Sequence, residues 1–192
     1  MDWWCRSHDN ACVVYVPTPQ SVVDKMLGVA KLQSSDVLYD LGCGDGRIVV
    51  TAARTYGVHA VGFDIDPDRV SEARENVRRA GVEELVTIEQ RDVFTVDLTP
   101  ASVVTVYLLP RLNVRLVPQL SKLTPGTRIV SHDFDIERSV PDGKWSMKAS
   151  YFGRWNELYD ASAPEDPAHY AQVEHEVYLW VAPLKWRVGG DR

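Results

Sequence analysis

Apolar positions along the chain change period repeatedly. Val22, Val23, Met26, Leu27 and Ala30 recur at helical spacing. Thr18-Pro19 stands just before them, which predicts a helix with Thr18 as N-cap and Pro19 at the first helical position. Val37 to Leu41 is a short strand running into a glycine-rich turn, and Ile48 to Arg54 then reads as a helix. Ala60 to Asp64 is a second strand. Asp66 caps the next helix, which opens at Pro67, buries Val70, Ala73, Val77 and Ala80, and ends at Gly81. Val86 to Glu89 is a third strand. Ser102 to Leu108 is a fourth, apolar enough to be covered on both faces. Leu112, Leu116, Leu120 and Leu123 mark one or two helices, kinked or restarted at Pro118. After the turn at Pro125-Gly126, Arg128 to His132 is a fifth strand.

Strands alternating with helices predict an α/β fold, a mostly parallel sheet with helices on both faces. The last third leaves that rhythm. Trp145 to Tyr151 alternates like a strand and Val177 to Val181 reads as a final one. With little helical pattern between them, the two are expected to be antiparallel. Residues 1–17 look like an irregular arm, and 18–192 like one domain carrying an aromatic-rich insertion at about 151–172.

Composition narrows the class. The 192 residues suit a single hydrophobic core, and 45% apolar with 25% charged residues is ordinary for a globular protein. No apolar run approaches the ~20 residues of a membrane span, and no signal peptide is evident, so a cytoplasmic protein is expected. A formal charge of -6 argues against a partner held by phosphate neutralisation, and no nucleic acid is expected. Arg74, Arg78 and Arg79 are diluted by Glu72 and Glu75, as on a solvated helix face. The three cysteines suggest reduced thiols. Cys5, His8 and Cys12 match no standard zinc spacing, so no metal is assigned.

The chemistry concentrates in Asp40-Leu41-Gly42-Cys43-Gly44-Asp45-Gly46-Arg47, between a strand and a helix. Glycines permit a sharp turn and close approach to a ligand, which in open α/β sheets binds at the carboxyl ends of strands. The dinucleotide fingerprint needs a third glycine at position 47, where Arg stands; here the glycine comes at 46. Asp40 and Asp45 would also repel a pyrophosphate, whereas they suit a cofactor bearing ammonium and sulfonium charges. Asp64 ends the second strand, where an acid can hold both ribose hydroxyls, while Asp66 is the better helix cap. Asp92 can accept the adenine amino hydrogens and the Val93 amide can donate to the ring. Alone, Asp92 would read as an ordinary turn residue, but after two matching strand ends the cofactor role is favoured.

Three segments resemble class I S-adenosylmethionine-dependent methyltransferases: Asp40 to Gly46, Val61-Gly62-Phe63-Asp64, and Asp92-Val93. The resemblance implies a Rossmann-like, seven-stranded, mostly parallel sheet with an antiparallel last strand. It also implies a cofactor site of Thr18, Pro19, Asp40, Gly42, Gly44, Gly46, Asp64, Ile65, Asp92 and Val93. Val16-Pro17-Thr18-Pro19, Gly44 to Val49 and Pro125 to His132 are similar to the protein-lysine methyltransferases that include the ATP synthase c-subunit enzyme, although Cys43 stands where those usually have Ser. This narrower likeness implies lysine N-methylation, with S-adenosylhomocysteine as product. The acceptor is expected to be a protein or a small molecule.

Alignment supplies most of the catalysis in an in-line methyl transfer. Tyr107, in Tyr107-Leu108-Leu109-Pro110 at the end of the fourth strand, is the candidate catalytic residue, orienting the nucleophile; it is equally a packed strand-end aromatic. Thr18-Pro19 can close over the methionine end of the cofactor. His132 would face the same sheet edge. Phe152, Trp155, Tyr159 and Tyr170 would line a substrate lid, or simply pack an insertion.

Overall fold

The computed structural model describes residues 15–149 and 172–187. The candidate Cys5-His8-Cys12 cluster and the aromatic segment from Tyr151 to Tyr170 lie outside those residues.

The order of elements is α1 (Gln20–Ala30), β1 (Val37–Leu41), α2 (Arg47–Tyr56), β2 (His59–Asp64), α3 (Pro67–Ala80), β3 (Val86–Gln90), β4 (Val103–Val106), α4 (Pro110–Leu120), β5 (Arg128–His132), β6 (Ser139–Val140), β7 (Gly143–Ala149), β8 (Val173–Val181) and β9 (Lys185–Trp186). Seven strands form one sheet in the order β3-β2-β1-β4-β5-β8-β7. Strands β1 to β5 run parallel, and β8 is antiparallel to both β5 and β7. The expected seven-stranded α/β architecture is therefore present, with its one antiparallel strand last in the main sheet. Strand order reverses at β1 and β4, so the carboxyl ends of those strands open a crevice.

Two cores flank the sheet. On one face α1, α2 and α3 bury Met26, Leu27, Val49, Val50, Ala73 and Val77 against Leu38, Val103 and Val130. On the other, α4 buries Leu116 and Leu120 against Leu41, Val104, Ile129 and Trp180. Both faces of β4 are covered, which explains why all four of its residues are buried and why it reads as a continuous apolar run.

Local chemistry sets most boundaries. Asp66 caps α3, its carboxylate accepting the Asp68 N–H at 2.8 Å, and Gly81 closes that helix in the left-handed region. Four details differ from expectation. Helix α1 begins at Gln20, its N-cap is Pro19, and no side chain caps it. The Thr18 hydroxyl is instead engaged by His132 at 3.1 Å. Strand β4 ends at Val106, so Tyr107 lies just beyond it. Leu112, Leu116 and Leu120 lie on one helix that contains Pro118 and is not restarted there. The antiparallel pair β6–β9 was not foreseen. No helix among the described residues is long and apolar enough to cross a membrane.

Candidate functional site

The β1–α2 turn is held open by its backbone. Gly42 and Cys43 both donate their N–H to the Phe63 carbonyl, at 2.8 and 2.9 Å, which ties the turn to the end of β2. Gly46 is the N-cap of α2 at φ 81°, a left-handed conformation that side chains resist. A Cβ there would lie 3.1 Å from Ala73 Cβ, so the glycine also lets α3 pack against the turn. Asn76 on α3 secures the same contact by donating to the Asp45 carbonyl at 2.9 Å.

Three acids occupy the turn region, but they are not equivalent. Asp45 is paired. Arg47 donates Nε to Oδ1 at 3.0 Å and Nη2 to Oδ2 at 2.6 Å, and its Nη1 reaches the Thr18 carbonyl at 2.7 Å. This buried fork corrects the expectation that Asp45 presents a free charge to the ligand. Asp40 and Asp64 remain to set the sign of the pocket.

Asp40 is 2% exposed on β1, where the Thr105 hydroxyl on β4 donates to its Oδ1 at 2.7 Å. Burial pushes its pKa up to about 7; the Thr105 bond opposes this, and the charges of Asp64 and Asp45 add to it. Asp64, at the end of β2, accepts the Gly44 N–H on Oδ2 at 2.9 Å and the Asp66 N–H on Oδ1 at 3.0 Å. Burial raises its pKa too, against those backbone bonds. A carboxylate has about four acceptor sites, and backbone N–H groups do not use all of those on Asp64. Asp66 is occupied in capping α3, whereas Asp64 lies at the strand end beside the glycine turn.

Asp92 follows β3 and accepts the Phe94 N–H on Oδ1 at 3.0 Å, capping a single 3-10 turn over Val93–Thr95. The Val93 and Val96 carbonyls accept from Gln119 on α4, at 3.0 and 2.7 Å. Thus Asp92 is a turn residue and also stands at the third strand end in the row. Ile65 follows Asp64 directly, and its carbonyl accepts from Gln90 at 3.3 Å.

Tyr107 follows β4 with its ring 3.9 Å, centroid to centroid, from His132 and 6.0 Å from Phe134. His132 is fully buried, and burial pushes its pKa down to about 4, with Asp133 opposing and His175 adding to the shift. Thr18, Tyr107 and His132 therefore meet beside the crevice, although they are far apart in sequence.

Several participants were not read from the sequence. Tyr15 lies over the turn so closely that a Cβ on Gly44 would meet its ring at 2.4 Å, and its hydroxyl pKa is raised, chiefly by burial. No pattern in an irregular arm marks such a residue. Thr105 and His175 left a fainter signal. Each is a polar residue in register with buried apolar ones, at 0% exposure, as Val103 and Val177 are.

A glycine turn tied to one buried and one half-buried acid at adjoining strand ends of this sheet defines an S-adenosylmethionine-dependent methyltransferase. The sequence profile of the ANTKMT methyltransferase domain matches residues 40–143, more than half of the chain, and the protein belongs to that family. A protein-lysine N-methyltransferase of Saccharolobus islandicus is 49% identical over 126 residues, 65% of this chain and 78% of that protein. The mouse ATP synthase c-subunit lysine N-methyltransferase is 30% identical over 134 residues, 69% of this chain and 53% of that protein. Among solved structures, an RNA methyltransferase of Salinibacter ruber in complex with S-adenosyl-L-homocysteine is 43% identical, with a TM-score of 0.70 over 92% of this chain and 98% of that one.

Proposed function

We propose that this protein methylates the side-chain amine of a lysine in a protein. The observation that carries the reading is the 49% identity to a protein-lysine N-methyltransferase along 78% of that relative. Bound S-adenosylmethionine supplies a methyl group on a sulfonium, and the released product is S-adenosylhomocysteine.

The residues fit that cofactor. Asp40 is a buried carboxyl whose pKa burial lifts to about 7, close to neutrality, and a sulfonium or ammonium nearby would draw the charged form out. In this reading Gly42, Gly44 and Gly46 let the backbone lie against the methionyl portion, with Thr18 and Pro19 closing over it. Asp64 accepts both ribose hydroxyls, Ile65 lies along the adenosine, and Asp92 with the Val93 N–H reads the adenine edge. Tyr107 orients the acceptor nitrogen. That nitrogen must attack as a neutral amine, its lone pair forming the N–C bond as the C–S bond breaks, and it then loses a proton to solvent. A cytoplasmic location is part of the proposal.

A second acceptor class is favoured by the Salinibacter structure, described as an RNA methyltransferase. The charge of -6 weighs against it, and so does the pairing of Arg78 and Arg79 with the same Glu75. The test is to incubate the protein with tritiated-methyl cofactor and a host lysate, then divide the label among protein, RNA and small molecules. Label in protein, recovered as methyl-lysine after acid hydrolysis, is expected. Label released by ribonuclease, or confined to small molecules, overturns the lysine assignment.

A further inference from the structure

His132, Asp133 and His175 bring three ligand-type atoms to one point. His132 Nε2 and His175 Nδ1 are 2.9 Å apart, and each is 3.3 Å from Asp133 Oδ2. Both imidazoles are fully buried. We infer that these three side chains form a binding site for one divalent transition-metal ion, of the zinc or cobalt class, beside the acceptor pocket.

Hydrogen bonding alone satisfies the three atoms poorly. Two N–H groups cannot face each other across 2.9 Å, so the two imidazoles share one proton between them. The carboxylate brings none. At least one pair of lone pairs is then left in contact inside a buried site, which is costly. A cation removes the conflict by accepting all three. An ion about 1 Å off the plane of this triangle would lie about 2.1 Å from every atom, the usual distance for zinc to nitrogen or oxygen. Two imidazoles and a carboxylate are a donor set suited to zinc and its neighbours.

Outer contacts support two of the three side chains. A ligating histidine normally donates its second ring N–H to an oxygen, and His132 Nδ1 stands 3.1 Å from the Thr18 hydroxyl. The second oxygen of Asp133, Oδ1, accepts the Glu176 N–H at 2.9 Å, while the Asp133 N–H donates to the Glu176 carbonyl at 2.7 Å. Asp133 is also one of only three non-glycine residues with positive φ among those described, at 57°. Its backbone bonds to β8 hold it in that disfavoured conformation, which aims Oδ2 at the imidazoles. An ion there would clamp the end of β5 to the start of β8. Through His132 it would also fix the Tyr107 ring and Thr18.

The experiment uses the full chain carrying Cys5→Ser and Cys12→Ser, so that the N-terminal thiols do not compete. After removal of metal with a chelator, the protein is titrated with Zn2+ by calorimetry and with Co2+ by visible absorption, and its melting temperature is read with and without Zn2+. One equivalent of saturable binding is expected, with ligand-field absorption for Co2+ and a higher melting temperature with Zn2+. Asp133→Asn keeps the shape, tolerates positive φ and still accepts from Glu176. It should weaken Zn2+ binding at least about tenfold and abolish the zinc-dependent melting shift. His175→Ala should do the same. A cooperative urea transition in each metal-free variant, at the midpoint of the metal-free parent or close to it, reports that the fold survives. The absence of one-equivalent binding, or an unchanged affinity in a folded Asp133→Asn, overturns the site.

Discussion

Asp40 shows how one residue can trade stability for affinity. An unfolded aspartate loses its proton near pH 4, whereas the apo fold keeps that of Asp40 until about pH 7. Between those values the folded state binds more protons. The residue's contribution to stability is therefore complete below about pH 4 and is lost as the pH rises to 7. His132 acts in the opposite sense. Burial lowers its pKa from 6.5 to about 4, so its contribution is lost as the pH falls through that window. Comparing variants isolates one slope from the other. Asp40→Asn keeps an oxygen for the Thr105 hydroxyl and cannot ionise. Its apo form should exceed the parent in urea midpoint at pH 8 and match it near pH 4, with the gain appearing between. At pH 8 its affinity for S-adenosylmethionine should fall about tenfold, and more than that for the uncharged sulfur of the product. A stability gain of equal size at every pH would contradict the raised pKa.

The β1–α2 turn joins backbone conformation to the packing of a helix, and two glycines in similar conformations separate the two effects. Gly46 and Gly57 sit at φ 81° and 68°, at opposite ends of α2. A Cβ at Gly57 meets nothing within 4 Å, while one at Gly46 presses on Ala73. Gly57→Ala should cost only the left-handed penalty of about 1–2 kcal/mol. Gly46→Ala should cost more in urea denaturation and also weaken S-adenosylhomocysteine binding, because moving α3 moves the turn. Equal losses for the two, with binding intact, would mean that the turn tolerates the shift. That Gly46 matters was legible in the sequence, since glycine takes up positive φ at the least cost. The pairing of Asp45 with Arg47 was hidden, because a carboxylate in a turn looks the same whether it faces a ligand or a guanidinium. Thr18 was misread as a cap because its partner, His132, stands 114 positions away. Pro118 was read as a kink or a restart, and α4 runs on through it to Leu120 without restarting. The N–H that Pro118 lacks would have met the carbonyl of Val114, a residue that is 40% exposed.

Across the whole molecule, periodicity disclosed the parallel half because β1, β2 and β4 are each followed by a helix of different period. It did not disclose the insertion of β8 between β5 and β7, since strand order is settled by long-range pairing; nor the β6–β9 pair, since two residues have no period. The cofactor reading is likewise a property of the assembled sheet. Asp40, Asp64 and Asp92 come from or follow three neighbouring strands, so a ligand spanning them ties β1, β2 and β3 together. It should therefore stabilise the fold as a unit. At about a hundred times its dissociation constant, S-adenosylhomocysteine should add about 2.7 kcal/mol, a rise of roughly 5–10 °C in melting temperature for a chain of this length. NAD at the same concentration should add nothing. Its pyrophosphate would face Asp40 and Asp64, and the guanidinium best placed to neutralise it is already held by Asp45. An equal shift with NAD would mean that a cation still reaches the pocket, and the charge argument that selects a sulfonium cofactor would fail with it.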